Sequence, residues 1–82
     1  MTKQTIISIL KGINDYYRDN GDVATCTMKY NSAKVFAISI KNYGNIYCNG
    51  IRIDNTDLLK FYDDGKIIAI FDYSAIEKID IL

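Results

Sequence analysis

Hydrophobic positions in this chain recur at intervals of three and four up to residue 20, and from Asp22 onward at intervals of two. In the first stretch Ile6, Ile9, Leu10, Ile13, Tyr16 and Tyr17 fall on one stripe, which predicts a helix over residues 3–20. Thr2 is suited to cap its start, and Asn20-Gly21 to stop it with a left-handed residue. The change of period then predicts strands. Ala24, Cys26, Met28 and Tyr30 alternate with Val23, Thr25, Thr27 and Lys29, while Phe36, Ile38 and Ile40 alternate with Val35, Ala37 and Ser39. Asn31-Ser32-Ala33 between these runs reads as a turn and makes residues 23–41 a first hairpin.

Asn49-Gly50 suggests a second, tight hairpin between Ile46-Tyr47-Cys48 and Ile51-Arg52-Ile53, with Tyr47 facing Arg52 across it. The third signal is the strongest. Two apolar runs, Leu58–Tyr62 and Lys66–Asp72, meet at Asp64-Gly65, a pair matched to type I′ turns because both central residues need positive φ. In simple two-residue-loop register, Asp63 opposes Lys66, and Leu59 and Phe61 share a face with Ile68 and Ile70. A short turn at Tyr73-Ser74-Ala75 leads to a last strand through Ile79 and Ile81. The expected fold is therefore α+β over residues 1–82 as one domain: an N-terminal helix packed on a curved antiparallel β-meander of six or seven short strands, a half-barrel or small barrel.

Length limits what such a fold can hold. A domain of 82 residues buries only roughly 60–65% of its unfolded surface, which argues against a deep catalytic cleft. No apolar run approaches the ~18–20 residues that cross a bilayer, and no export signal is read, so a cytoplasmic protein without a membrane anchor is expected. In that compartment Cys26 and Cys48 are expected as core thiols.

The chain has no histidine and a single glutamate, Glu77. The first absence removes the commonest general base and the Ser-His and Cys-His nucleophile systems. Asp63 and Asp64 are adjacent on a turn, where their carboxyls point apart, and the aspartates at 54, 57, 63 and 64 do not follow the calcium-loop spacing. Two isolated cysteines cannot build a zinc site, and the five glycines form no phosphate loop. The expectation is a protein that is not an enzyme and uses neither cofactor nor metal.

What remains is surface. Seven tyrosines exceed the needs of a small core, since a buried phenol must find a hydrogen-bond partner. Tyr43, in a turn, and Tyr47, beside Arg52 and near Lys41, form the favoured contact patch, because tyrosine and arginine are enriched in binding hot spots. Net charge is zero, yet residues 1–53 carry a balance of +4 and residues 54–82 one of −4. Asp57, Asp63, Asp64 and Asp72 in the acidic part are candidates to occupy a basic groove on another protein.

In size and composition the chain resembles the small accessory and inhibitor proteins of phages and other mobile elements, including those that block host defence nucleases such as CRISPR enzymes. That resemblance rests on no motif. It implies a non-enzymatic protein-binding module that inhibits a host enzyme or defence complex by occlusion. The alternative is a domain binding a small ligand or single-stranded nucleic acid on its sheet, against which the neutral balance and a pI near 6.1 weigh. An uncovered strand edge would offer a further route, to a homodimer or to strand addition by a partner.

Overall fold

A computed structural model describes residues 1–13, 16–29 and 32–82. Among them are one helix, α1 (Lys3–Ile13), and eight strands. The strands are β1 (Tyr17–Asp19), β2 (Ala24–Thr27), β3 (Phe36–Ile40), β4 (Gly44–Cys48), β5 (Gly50–Ile53), β6 (Leu58–Asp63), β7 (Lys66–Asp72) and β8 (Ile76–Ile81). They form two antiparallel sheets, one ordered β1-β2-β5-β6-β7 and the other β4-β3-β8. The α+β class is as expected. The single curled meander is not, because neither sheet is closed or strongly curled.

The helix begins where Thr2 caps it: the Thr5 N–H donates to Thr2 Oγ1 at 3.2 Å. It is shorter than the stripe predicts, ending at Ile13, and the expected Asn14 and Asp15 turn of helix lies outside the described residues. Tyr17–Asp19 is instead a strand paired with Ala24–Cys26. The connection explains the difference. Asn20 Oδ1 accepts the Val23 N–H at 2.9 Å and Gly21 takes φ 96°, so Asn20-Gly21 closes a β-turn and does not stop a helix.

A second correction concerns the two expected hairpins. β2 and β3 do not pair with each other: β2 lies between β1 and β5, and β3 lies between β4 and β8 in the other sheet. The expected turn residue Asn31 lies outside the described residues. At Asn49-Gly50 the chain does not fold back; β4 belongs to one sheet and β5 to the other. Neither residue has the positive φ that a I′ turn requires. Asn49 is instead held as a crossing point: its N–H donates to the Tyr62 carbonyl at 3.1 Å and its carbonyl accepts the Met28 N–H at 2.9 Å. Gly50 allows a close approach there, since a Cβ would lie 3.3 Å from the Tyr62 Cβ and 3.4 Å from the Thr27 Cγ2. β3 pairs with β4 through a turn at residues 41–43, where the Tyr43 N–H donates to the Ile40 carbonyl at 3.1 Å and Asn42 has φ 60°.

The inner faces of both sheets and the buried side of α1 share one apolar cluster. Ile6 and Leu10 of the helix meet Cys26, Ile51, Ile53, Leu59 and Phe61 from one sheet and Phe36, Ile38, Ile40, Ile46, Cys48 and Ile76 from the other. The period-two reading of β2 and β3 is thereby realised in the packing, whereas on β8 Ile76 is buried, Ile79 half-buried and Ile81 exposed. Both sheets take strands from the basic N-terminal and the acidic C-terminal part of the chain, so the +4/−4 division does not separate into two sheets.

Candidate functional site

The β6–β7 hairpin forms as its sequence dictates. Asp64 and Gly65 have φ 49° and 81°, and Asp63 pairs with Lys66. Farther from the turn the register shifts: Phe61 pairs with Ala69 while Tyr62 pairs with Ile67, so Ile68 is an extra residue on β7. This β-bulge overturns the expected facing. Leu59 opposes Phe71 and Phe61 opposes Ala69, and it is Ala69 and Phe71 that pack against the core. Ile68 and Ile70 are swung to the outside.

The consequence is an apolar edge. Ile67, Ile68 and Ile70 are 51%, 48% and 46% exposed, and Leu58 on the adjoining strand is 40% exposed. Among the described residues β7 pairs with β6 alone, so the backbone groups along its other side have no strand to bond. At seven residues it is longer than the opposite edge, β1, with three. The periodicity of the sequence could not show this, because a bulge reverses every side chain beyond it and leaves no signature in residue type.

The predicted patch residues are dispersed. Lys41 and Tyr43 sit in the β3–β4 turn, and Tyr43, though 68% exposed, sets its ring edge-on to Phe71 at 5.3 Å. Tyr47 is exposed on β4 and pairs with Ala37, not with Arg52. Arg52 lies in the other sheet between Thr25 and Lys60, half-buried, with its Nε buried and without a hydrogen-bond partner. Asp57 and Asp63 are exposed. Asp64 is tied down: its Oδ1 accepts from Asn49 Nδ2 at 3.0 Å and its N–H donates to Asn49 Oδ1 at 3.1 Å.

Among the described residues the most strongly perturbed carboxylate, Asp54, is held by local bonds. Asp54 accepts from Lys60 Nζ through Oδ2 and from the Thr56 hydroxyl and N–H through Oδ1, and these bonds, led by Lys60, hold its carboxyl well below the usual range. Lys3 Nζ donates to the Asp54 carbonyl at 2.6 Å, joining the helix to the same corner. Cys26 and Cys48 are buried and not joined in a disulfide; burial pushes the Cys48 thiol up to about 11, so it stays protonated at neutral pH. Among the described residues no group of three metal-ligating side chains comes together, and no helix is long and apolar enough to cross a membrane.

Tyr73 is the odd polar group in the core. Its ring is buried and its hydroxyl has no partner, and burial, with Asp54 and Asp57 nearby, raises its pKa. Removing an unpaired buried hydroxyl relieves a desolvation cost. Tyr73→Phe is therefore expected not to lower stability and to raise it by up to about 1 kcal/mol, read from urea unfolding. A clear loss would mean that the hydroxyl has a partner.

Two open cavities flank the Asn49 crossing. One of about 450 Å³ is lined by Met28, Lys29, Lys34 and Asp64, and one of about 300 Å³ by Thr25, Thr27, Arg52 and Tyr62. Compared with protein-family models, curated proteins and solved structures, the chain matches none.

Proposed function

We propose that this chain is a non-enzymatic protein-binding module whose contact element is the β7 edge. The observation that carries the reading is the outward placement of Ile67, Ile68 and Ile70 on a strand with one free side. An apolar edge of this kind is a site for strand addition: main-chain bonds supply affinity and the alternate side chains supply selectivity. The bulge strengthens the argument. A regular register would have turned Ile68 and Ile70 toward the core, so the exposed isoleucines come from a specific backbone feature and not from a shortage of core positions. Occlusion of a larger enzyme would follow if such an enzyme supplied the strand, since the module brings no chemistry of its own. The contact patch moves accordingly, from Tyr43, Tyr47 and Arg52 to β7 with Leu58 beside it.

A photo-crosslinking side chain at position 68, in living cells of the source, tests this. The expected result is a discrete protein adduct at position 68 and none at position 77, which is exposed on β8. Equal labelling at both positions, or none at 68, would overturn the reading.

A further inference from the structure

We infer that the strand added to β7 is β7 of a second copy of this chain, paired antiparallel edge to edge about Ala69; the inference rests on β7 being the binding edge. The strand Lys66–Asp72, KIIAIFD, is complementary to its own reverse. Its one cation is at the N-terminal end, its one anion at the C-terminal end, and the residues between are apolar. Antiparallel self-pairing therefore brings the Lys66 end of each copy to the Asp72 end of the other, and sets the outward Ile70 of each beside the bulged, outward Ile67 and Ile68 of the second copy. Parallel self-pairing would set like charges together at both ends.

The charges are available for this. Lys66 and Asp72 are both exposed. The Ser74 N–H and hydroxyl, donating to Asp72 Oδ1 at 2.8 Å, hold that carboxyl below the usual carboxylate range, so it is ionised at neutral pH. The bulge lies toward the Lys66 end, so each copy's irregular end meets the regular Ala69–Asp72 stretch of the other.

The other edges are poorer candidates. β1 has three residues, β4 opens with Gly44-Asn45, and β8 carries Glu77, Lys78 and Asp80 within six residues. Charges spread along an edge discourage pairing, whereas those of β7 stand only at its ends. Symmetry also closes the assembly. Two five-stranded sheets joined at β7 use that edge in both copies and leave the short β1 strands at the ends of the joined sheet, so pairing through β7 stops at two copies.

Sedimentation across a concentration series, with the full chain, is the test. The expected result is a reversible species of twice the 9.3 kDa chain mass. Ile70→Lys should raise its dissociation constant about tenfold or more while circular dichroism is unchanged, because Ile70 is exposed opposite Lys60 and lies outside the core cluster. Lys66→Glu, which sets a second carboxylate beside Asp72 of the other copy, should weaken it about severalfold. Ile81→Lys, on the exposed end of β8, should leave it unaltered. A monomer at all concentrations, a dimer indifferent to Ile70→Lys or Lys66→Glu, or one lost on Ile81→Lys would each overturn self-pairing. The crosslinking experiment separates the two failures. An adduct of this chain with another protein, with a monomer in sedimentation, removes self-pairing and leaves β7 as a binding edge; no adduct removes both.

Discussion

Phe61→Ala is expected to cost about 3–5 kcal/mol of folding stability, the range for truncating a fully buried aromatic residue. A chain of 82 residues has roughly 4–12 kcal/mol in all, so the loss takes from about a quarter to the whole of its stability. The position matters beyond its volume. Phe61 packs its ring 6.3 Å from Phe71, which in turn holds Tyr43 edge-on, so three aromatic rings link β6, the inner side of β7 and the turn between β3 and β4. Loss of the first ring leaves Phe71 without its buried neighbour and loosens β7 itself. Urea unfolding gives the free energy, and Phe61→Leu separates volume from aromaticity, with an expected cost of under about 1.5 kcal/mol. A small cost for Phe61→Ala would show that β7 and the turn collapse into the space.

The same residues mark where the sequence is informative and where it is not. The type I′ turn at Asp64-Gly65, the Thr2 cap and the inward sets on β2 and β3 are local: each depends on turn chemistry or on alternation within a few residues. Pairing between distant strands is not local. Asn49-Gly50 has the composition of a tight hairpin, yet Asn49 spends its backbone groups on Tyr62 and Met28 and its side chain on Asp64. Those partners lie thirteen or more residues away, or across a neighbouring strand, and no reading of the dipeptide contains them. Tyr16 and Tyr17 fit a helical stripe by spacing, but aromatic residues favour strands, and β2 offered Tyr17 a partner in Cys26. The candidate site was hidden for the related reason that one inserted residue, Ile68, exchanges the two faces of β7. Aromatic and charged residue types point instead to Tyr43, Tyr47 and Arg52. The exposed face of β7 is made of isoleucine, the residue type that a sequence argument assigns to the core first.

Acid is expected to destabilise this protein chiefly through Asp54. Its carboxyl is bonded to Lys60, to the Thr56 hydroxyl and to the Thr56 N–H in the folded chain, and it has none of these partners when unfolded. The folded pKa therefore lies well below the unfolded one. The sign follows: the carboxyl binds its proton more readily in the unfolded state, so its stabilising contribution is complete above the ordinary carboxylate range and is lost progressively as pH falls below about 4. Asp19 and Asp72 are shifted in the same direction by backbone bonds from Gly21 and Ser74, and both are exposed, so they add to the slope without dominating it. Asp54→Asn should lower stability at neutral pH and flatten its dependence on pH below about 4, because an amide keeps an oxygen for Thr56 but loses the ion pair with Lys60. Asp54→Ala should cost more at neutral pH, since Lys60 and both Thr56 donors lose their acceptor together. Combining it with Lys60→Met, which removes the cation left beside the half-buried strand, should recover part of that loss. Urea midpoints collected from neutral pH down through the carboxylate range decide the matter. An unaltered acid slope in Asp54→Asn would assign the dependence to other carboxylates and reduce the Asp54–Lys60 pair to a surface contact.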